Sequence, residues 1–407
     1  YQELLETSQN VSANLLNGKT DLKEARIAFL VPPSFEYTAV QWGIWSAGGI
    51  AVPLCVMHPL PSIQYVLEDT LADIVISHAD YIDFLKPLEQ LITIPLVSLK
   101  SILSKNKADL PEINLERRAM ILYTSGTTSK PKGVVTTHSN IEAQIRTLVN
   151  AWEWEAADYI LNILPLHHVH GIINVMSCAL WSGACCEFLP KFDAETVWGI
   201  FKSQRLTLFM AVPTIYYKLI AFWDNSSEEE KEKMSQATSK LRLMVSGSAA
   251  LPVSVLEKWR DITGQTLLER YGMTEIGMGL SNSYHYERRP GHVGLPLPGV
   301  EMRLVDSENN PVGEKQPGEI QITGPSVFKE YWKKEAATQK AFTEDGWFIT
   351  GDIAMLNHGL YKILGRDSVD IIKSGGYKIS ALEIEDVLRK HAKVDDCAVV
   401  GPVSYTH

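Results

Sequence analysis

Short, predominantly apolar runs recur along the chain, and stretches with helical spacing of apolar residues separate them. Such runs occupy residues 28–31, 74–76, 95–97, 206–212 and 241–245. Short apolar runs are typical of strands that are buried on both faces, and parallel strands need helical crossovers between them. The pattern therefore predicts an α/β fold whose parallel sheets are covered by helices.

The pattern changes at about residue 291, where short strands and turns replace the alternation of strands and helices. Residues 302–305 and 319–322 are examples of these strands. We expect them to form a small β-rich subdomain that closes the large one. Residues 1–5 already lie within an amphipathic helical pattern, so we expect the natural N terminus, and any targeting segment in it, to be missing.

Length and charge narrow the classes of function. A chain of 407 residues has room for two or more domains, each with its own core. Its formal net charge of −10 argues against broad binding to nucleic acid or to an anionic membrane. The most apolar region, residues 171–186, is too short to cross a bilayer comfortably, so we expect a buried helix there and no membrane span.

The cysteines indicate the compartment. The chain has five of them, mostly in apolar contexts, and their spacing is not that of metal ligands. They are typical of reduced core residues in an intracellular protein. We therefore predict a cytoplasmic protein, with mitochondria as the alternative if a targeting segment has been lost.

A loop rich in hydroxyl side chains follows the apolar run 119–122 and covers residues 123–134. Ligands bind at the ends of strands in α/β folds. Glycine lets the backbone approach an anion, hydroxyl groups donate hydrogen bonds, and Lys130 and Lys132 supply positive charge, so the loop predicts phosphate binding. Pro131 interrupts the loop and no Ser or Thr follows Lys132 and Gly133, which argues against the P-loop of ordinary kinases and ATPases.

Two further motifs follow in order along the chain. Residues 270–275 read Arg-Tyr-Gly-Met-Thr-Glu, and residues 350–352 read Thr-Gly-Asp, with Gly365 and Arg366 after them. The ordered set resembles the adenylate-forming superfamily, which includes acyl-CoA synthetases, nonribosomal-peptide adenylation domains and luciferases. The resemblance extends from residue 28 to about residue 400. One departure is Ser129, because the family usually has glycine there.

The resemblance implies that the protein activates a carboxylate with ATP and Mg²⁺ and transfers the acyl group to coenzyme A. The carboxylate attacks the α-phosphorus in line, so the site must neutralise and align two anions. Lys132, Thr274 and Glu275 are the implied catalytic residues, and Glu275 and Thr124 are implied to hold Mg²⁺. The implied ATP-binding residues are Thr124, Ser125, Gly126, Thr127, Thr128, Lys132, Gly247, Ser248, Ala249, Tyr271, Gly272, Met273, Thr274, Asp352 and Arg366.

Outside such motifs the same residue types have simpler interpretations. A glutamate such as Glu275 often caps a helix, and an isolated tyrosine such as Tyr271 is usually a packed, half-buried residue. Asp352 and Arg366 would form a surface salt-bridge network. The order of the motifs favours the binding roles.

The resemblance also implies two domains, an adenylation domain over residues 1–365 and a small, mobile α+β cap that begins in residues 366–407. We expect a helix at residues 381–391 and a strand at residues 397–400. The chain ends before the family's cap normally does, and the family's cap lysine has no counterpart in it.

Coenzyme A is expected to bind after the cap rotates. The residues implied to line its channel are Lys373, Gly375, Gly376 and Tyr377. One extra residue before the glycines, relative to many family members, leaves Asp367 and Ser368 as alternative hinges.

The acid substrate is indicated by Arg270, which directly precedes Tyr271 at the edge of the acyl pocket. A guanidinium pairs bidentately with carboxylates, so its position suggests a second carboxylate on the substrate. Together with residues 164–171 and 365–378, it resembles the malonyl-CoA synthetases and predicts malonate. The alternative is a structural ion pair, for instance with Glu269 or a carboxylate of the phosphate site.

His168 and His170 are predicted to line the substrate pocket, with buried structural histidines as the competing interpretation. Three other functions stay open at this point. In the first, the enzyme activates methylmalonate or a short- or medium-chain monocarboxylate. In the second, the chain is a carrier-protein adenylation module. In the third, the protein binds nucleotides without catalysis.

Overall fold

A computed structural model of the protein describes residues 1–124, 130–374, 377–389, 391, 393, 394 and 397–401. Several predicted site residues lie outside this described part, namely Ser125, Gly126, Thr127 and Thr128 of the phosphate loop and Gly375 and Gly376 of the coenzyme A segment. The side chains of Lys373 and Tyr377 also lie outside it. The roles given to all of these residues stay predictions.

Helices and short strands alternate over the first two thirds of the chain. The elements up to the phosphate loop are α1 (Gln2–Leu16), β1 (Arg26–Leu30), α2 (Phe35–Ser46), β2 (Ile50–Pro53), α3 (Leu60–Thr70), β3 (Ile74–Ser77), a 3₁₀ turn (Ala79–Tyr81), α4 (Ile82–Ile92), β4 (Leu96–Ser98), α5 (Leu99–Ile102) and β5 (Arg118–Thr124). The elements after it are β6 (Lys132–Thr137), α6 (His138–Ala151), β7 (Tyr159–Asn162), a π-helix (His170–Ser177), α7 (Cys178–Trp181), β8 (Cys185–Phe188), α8 (Ala194–Lys202), β9 (Leu208–Ala211), α9 (Pro213–Asp224), α10 (Glu228–Thr238), β10 (Leu243–Ser246), α11 (Val253–Thr263), β11 (Leu268–Met273) and β12 (Gly277–Ser281).

The last third of the chain is richer in strands. Its elements are β13 (Leu295–Pro296), β14 (Glu301–Val305), β15 (Pro317–Thr323), β16 (Glu330–Tyr331), α12 (Glu335–Lys340), β17 (Phe348–Asn357), β18 (Leu360–Arg366), β19 (Ile371–Ser374), β20 (Tyr377–Ser380) and α13 (Ala381–Leu388).

Two large sheets form the body of the described structure, and each has seven strands. The first has the order β16-β6-β5-β2-β1-β3-β4, and the second has the order β13-β12-β11-β10-β9-β7-β8. In each sheet five strands run parallel, and antiparallel strands extend one edge: β6 and β16 in the first, β12 and β13 in the second. The predicted parallel sheets are confirmed.

Side chains alternate between the two faces of the central strands and so join different cores. In β1, Ile27 and Phe29 face a core shared with α1, α2, α6 and the second sheet. Ala28 and Leu30 face the opposite side, where α3 and α4 pack. The far face of the second sheet packs on α8 to α11. Helices therefore cover both sheets and also separate them, which explains why the strands read as continuous apolar runs.

A smaller antiparallel sheet has the order β14-β15-β17-β18 and packs its apolar face around Phe328 and Phe348. It is the β-rich subdomain that the sequence predicts. The β19–β20 hairpin and α13 follow it. No helix in the described part of the chain is long and apolar enough to cross a membrane.

Two expected elements differ from the structure. The expected buried helix over residues 171–186 ends earlier, because Gly183 adopts a φ of 78° and β8 begins at Cys185. The expected strand at residues 397–400 has no strand partner among the described residues. Its backbone bonds instead to side chains of the preceding helix and turn: Val399 N donates to Glu385 at 2.9 Å, and Cys397 O accepts from Arg389 at 3.0 Å.

Candidate active site

A cavity of about 950 Å³ lies where the ends of β5, β10 and β11 face the β17–β18 hairpin. It brings together most of the predicted site residues. Those on its wall are Thr124, Lys132, His168, His170, Ser248, Ala249, Arg270, Tyr271, Gly272, Met273, Thr274, Glu275, Asp352 and Arg366. Residues from distant parts of the sequence therefore share one cavity, and their individual roles stay predictions.

Strand β11 delivers most of the second motif to the cavity. It pairs in parallel with β10 and antiparallel with β12, and its register with β12 shifts between Tyr271 and Gly272. Bulges of this kind re-aim side chains and are common beside active sites. Gly272 permits the close approach of β11 to β12, because a Cβ at this position would overlap the carbonyl oxygen of Gly277. Thr274 and Glu275 follow in the turn.

Arg270 is the most unusual charged residue of the site. It is only 4% exposed, and burial lowers its pKa to about 9. Its Nη2 donates to Ser248 Oγ at 3.1 Å, whereas its Nε has no hydrogen-bond partner in the described structure. The expected alternative, an ion pair with Glu269, is wrong: that carboxylate accepts from the backbone N–H of Gly291 at 2.9 Å.

Ser248 connects Arg270 to His170. Its Oγ lies 3.2 Å from Nδ1 of His170, and its φ of 69° is in the left-handed region that non-glycine residues rarely adopt. The preceding Gly247 has no room for a side chain, since a Cβ there would overlap the Arg270 guanidinium. Burial and the nearby Arg270 charge hold the pKa of His170 well below its usual value, so its ring is neutral.

Glu275 is 5% exposed and faces the phosphate side of the cavity. Its Oε1 accepts a 2.9 Å hydrogen bond from the Tyr331 hydroxyl, whereas Oε2 has no partner in the part of the chain that the structure describes. Burial raises the pKa of Glu275. A buried carboxylate oxygen without a partner suits a hard cation such as Mg²⁺. The residue does not cap a helix, because no described helix begins there.

Lys132 begins β6 and pairs with Thr124 at the end of β5, so both flank the phosphate loop. The Lys132 ammonium lies 4.3 Å from the ring centroid of Tyr331. Tyr331 therefore contacts both Lys132 and Glu275. The sequence did not single it out, because it lies in β16, outside every motif.

Asp352 and Arg366 face each other across the β17–β18 hairpin. Arg366 Nε donates to Asp352 Oδ1 at 3.1 Å, and the Tyr271 hydroxyl donates to Oδ2. Asp352 is buried and not part of a surface salt-bridge network.

The cavity is also lined by residues that the sequence analysis did not identify as site residues. Leu382, Glu383 and Asp386 of α13 line it, as do Val369 and Asp370. The alternative hinges Asp367 and Ser368 are not on the wall, and lie in the turn between β18 and β19. The start of the predicted cap therefore covers the site.

Residues 1–332 match the family described as AMP-binding enzyme. The chain belongs to this family. The mitochondrial malonate–CoA ligase of Xenopus laevis is 46% identical to it, over all of this chain and 77% of the relative. The crystal structure of ATP-bound MatB from Rhodopseudomonas palustris is 31% identical, with a TM-score of 0.90 over 98% of this chain and 80% of that one.

A malonyl-CoA ligase with methylmalonyl-CoA and AMP bound is 34% identical to the chain. Its TM-score is 0.80 over 98% of this chain and 82% of the solved one. These matches confirm the predicted superfamily and its α/β fold for this chain.

Proposed function

We propose that the protein is a malonate–CoA ligase, which converts malonate, ATP and coenzyme A into malonyl-CoA, AMP and pyrophosphate through a malonyl-adenylate. The observation that carries this proposal is the buried guanidinium of Arg270, which has no carboxylate partner among the described residues. The similarity to malonate–CoA ligases supports the same acid.

A buried charge without a counter-ion is costly to keep in a folded protein. Arg270 lies on the wall of the cavity, and its only described side-chain partner is the neutral hydroxyl of Ser248. A dicarboxylate supplies the missing anion: one carboxylate attacks ATP, and the other pairs with the guanidinium fork. A monocarboxylate would leave Arg270 unpaired, so the pocket favours a short diacid.

ATP is assigned to the other side of the cavity. Tyr271 offers an aromatic face for adenine, and Asp352 retains lone pairs for the ribose hydroxyls beside its two present donors. Lys132 and Thr274 are placed to neutralise and orient phosphate oxygens. Glu275 and Thr124 would hold Mg²⁺, which supplies positive charge at the phosphates.

Coenzyme A is assigned to the side covered by the start of the cap. We propose the adenylation domain at residues 1–365 and the cap from residue 366, with the hinge at Asp367 or Ser368. The presence of α13 on the cavity wall supports this division, because movement of that helix would open a path for the thiol.

Methylmalonate is a second candidate acid for the same pocket. It keeps both carboxylates at the spacing of malonate, and a related ligase has been solved with methylmalonyl-CoA. An added methyl group changes binding by only about 1–3 kcal/mol, so the preference between the two acids should not exceed about 200-fold.

The acids can be separated by ATP–pyrophosphate exchange with malonate, methylmalonate, succinate, acetate and butyrate at saturating ATP. The coenzyme A products are then identified by mass spectrometry. We expect malonate to give the highest kcat/KM and malonyl-CoA as its product. A higher kcat/KM for acetate or butyrate would refute the dicarboxylate assignment, and exchange without any acyl-CoA would refute the ligase.

We place the protein in mitochondria and not in the cytoplasm, because its Xenopus relative is a mitochondrial enzyme. A fluorescent fusion of the full-length gene product, imaged with a mitochondrial marker and checked by fractionation, tests this. Uniform cytosolic fluorescence would contradict it.

A further inference from the structure

Two loops from different sheets meet beside the catalytic cavity and bring three residues of metal-binding types together. Cys55 and His58 lie in the loop between β2 and α3, and His167 lies in the loop that precedes the π-helix. The Cys55 sulfur and one ring nitrogen of each histidine all lie within 4.8 Å of one another. None of these residues belongs to the predicted catalytic set.

Hydrogen bonds hold the backbone of both loops in place. His58 N donates to Cys55 O at 3.1 Å, so the two residues form one turn. On the other loop, the carbonyl oxygen of Leu166 accepts a 2.6 Å hydrogen bond from the buried Tyr37 hydroxyl, which holds the residue next to His167. The ligand atoms are therefore brought together by anchored segments of chain.

The separations suit a small cation after a modest adjustment. With Zn–S of about 2.3 Å and Zn–N of about 2.0 Å, tetrahedral geometry places ligand atoms roughly 3.3–3.6 Å apart. The present separations, at most 4.8 Å, exceed this by up to about 1.5 Å. Because His58 is exposed, rotation of its side chain can close such a gap.

The residue types also suit this geometry, because a cysteine sulfur and imidazole nitrogens are the ligands that Zn²⁺ usually takes in proteins. Thiolate and neutral imidazole together select Zn²⁺ over Mg²⁺ or Ca²⁺.

We propose that Cys55, His58 and His167 form a Zn²⁺ site that fastens the loop after β2 of the first sheet to the loop after β7 of the second. Three protein ligands leave the fourth position to water. His58 is on the surface, which gives the ion a path of entry. The site is separate from the proposed Mg²⁺ position at Glu275 and does not depend on the malonate assignment.

Isothermal titration of tag-free, chelator-treated protein with ZnCl₂ tests the proposal, and Co²⁺ serves as a spectroscopic probe of the same site. We expect one Zn²⁺ per chain and a sulfur-to-Co²⁺ charge-transfer band. Zn²⁺ at 100 times its Kd should raise the Tm by roughly 3 °C. His58→Ala and Cys55→Ala should each weaken binding by at least about 10–100-fold and remove the Tm shift.

Cys185→Ala and His285→Ala are the matched controls, because both residues are exposed and lie in other parts of the fold. They should retain Zn²⁺ binding and the Co²⁺ band. His58→Ala removes a surface side chain, so its folding is not in question. Equal Zn²⁺ affinity in the wild type and in His58→Ala, or a charge-transfer band that persists in Cys55→Ala, would overturn the proposal.

Discussion

The hydroxyl of Tyr271 donates a 2.6 Å hydrogen bond to Oδ2 of Asp352. The bond joins β11 of the second large sheet to β17 of the small antiparallel sheet, two elements that meet at the cavity. Arg366 Nε donates a hydrogen bond to the other carboxylate oxygen, Oδ1, at 3.1 Å. The proposed adenine-stacking residue and the proposed ribose acceptor are thus held in a fixed relation before ATP binds.

Tyr271→Phe should weaken ATP binding while keeping the aromatic face. Loss of a hydrogen bond to a charged group costs about 1.5–3 kcal/mol, so the KM for ATP should rise by roughly tenfold or more. Steady-state kinetics at saturating malonate and coenzyme A measure it. Tyr286→Phe, an exposed tyrosine, is the control. An unchanged KM for ATP would mean that this bond does not position Asp352 for the nucleotide.

Arg270→Ala should remove the preference for a diacid. Loss of one partner of a desolvated charge pair costs about 2–5 kcal/mol, so kcat/KM for malonate should fall by roughly 30-fold or more. Activity with butyrate should fall less, and the KM for ATP should stay within about twofold of wild type.

Two variants control for the Arg270 experiment. Arg270→Lys keeps the charge without the bidentate fork, so it should retain part of the malonate activity. Arg260→Ala removes an exposed arginine and should behave as wild type. Equal losses with malonate and butyrate in Arg270→Ala would show a structural role and not recognition of a second carboxylate.

The sequence was sufficient where a local pattern has one physical meaning. Apolar runs with helical crossovers predicted the parallel sheets, since strands such as β1 are buried on both faces. The ordered motifs predicted which segments meet at the cavity, where β11 carries the second motif and β17 and β18 carry Asp352 and Arg366. Arg270 could be singled out because it directly precedes Tyr271 in the second motif.

The sequence was insufficient where a contact depends on packing between distant segments. Tyr331 lies outside every motif, and only the pairing of β16 with β6 brings it to Glu275. Likewise, the spacing of Cys55 and His58 supplies only two ligands. The third, His167, is brought to them by the packing of two sheets, which periodicity does not predict.

Glu275→Gln should abolish adenylation with every acid, because it removes a negative ligand without changing the size of the side chain. We expect pyrophosphate exchange to fall by at least about 100-fold at saturating Mg²⁺. Glu308→Gln, on an exposed turn, is the control. Exchange near the wild-type rate would exclude Glu275 as the metal ligand.

Tyr331→Phe should have a milder effect than Glu275→Gln, since Tyr331 only positions the carboxylate. Partners of this kind typically contribute about 10–100-fold to metal affinity. The Mg²⁺ concentration for half-maximal activity should therefore rise by about tenfold, with most of kcat recovered at high Mg²⁺. A lower kcat with unchanged Mg²⁺ dependence would contradict the positioning role.

Glu269 should make the stability of the fold depend on pH. Burial raises the pKa of this carboxyl from 4.5 to about 8. Between these values the folded state keeps a proton that the unfolded chain releases, so the stability that Glu269 contributes is present at low pH and is lost as the pH rises to about 8. The slope is at most about 1.4 kcal/mol per pH unit.

Glu269→Gln holds the side chain in a neutral form and should remove this dependence. Urea unfolding of the wild type and the variant, at several pH values across the window, measures the difference between their midpoints. Because other groups titrate equally in both proteins, they cancel in the difference. The variant should gain stability relative to wild type as the pH rises, and the gain should level off above about pH 8. Parallel midpoint curves would show that Glu269 is already ionised in the folded protein at neutral pH.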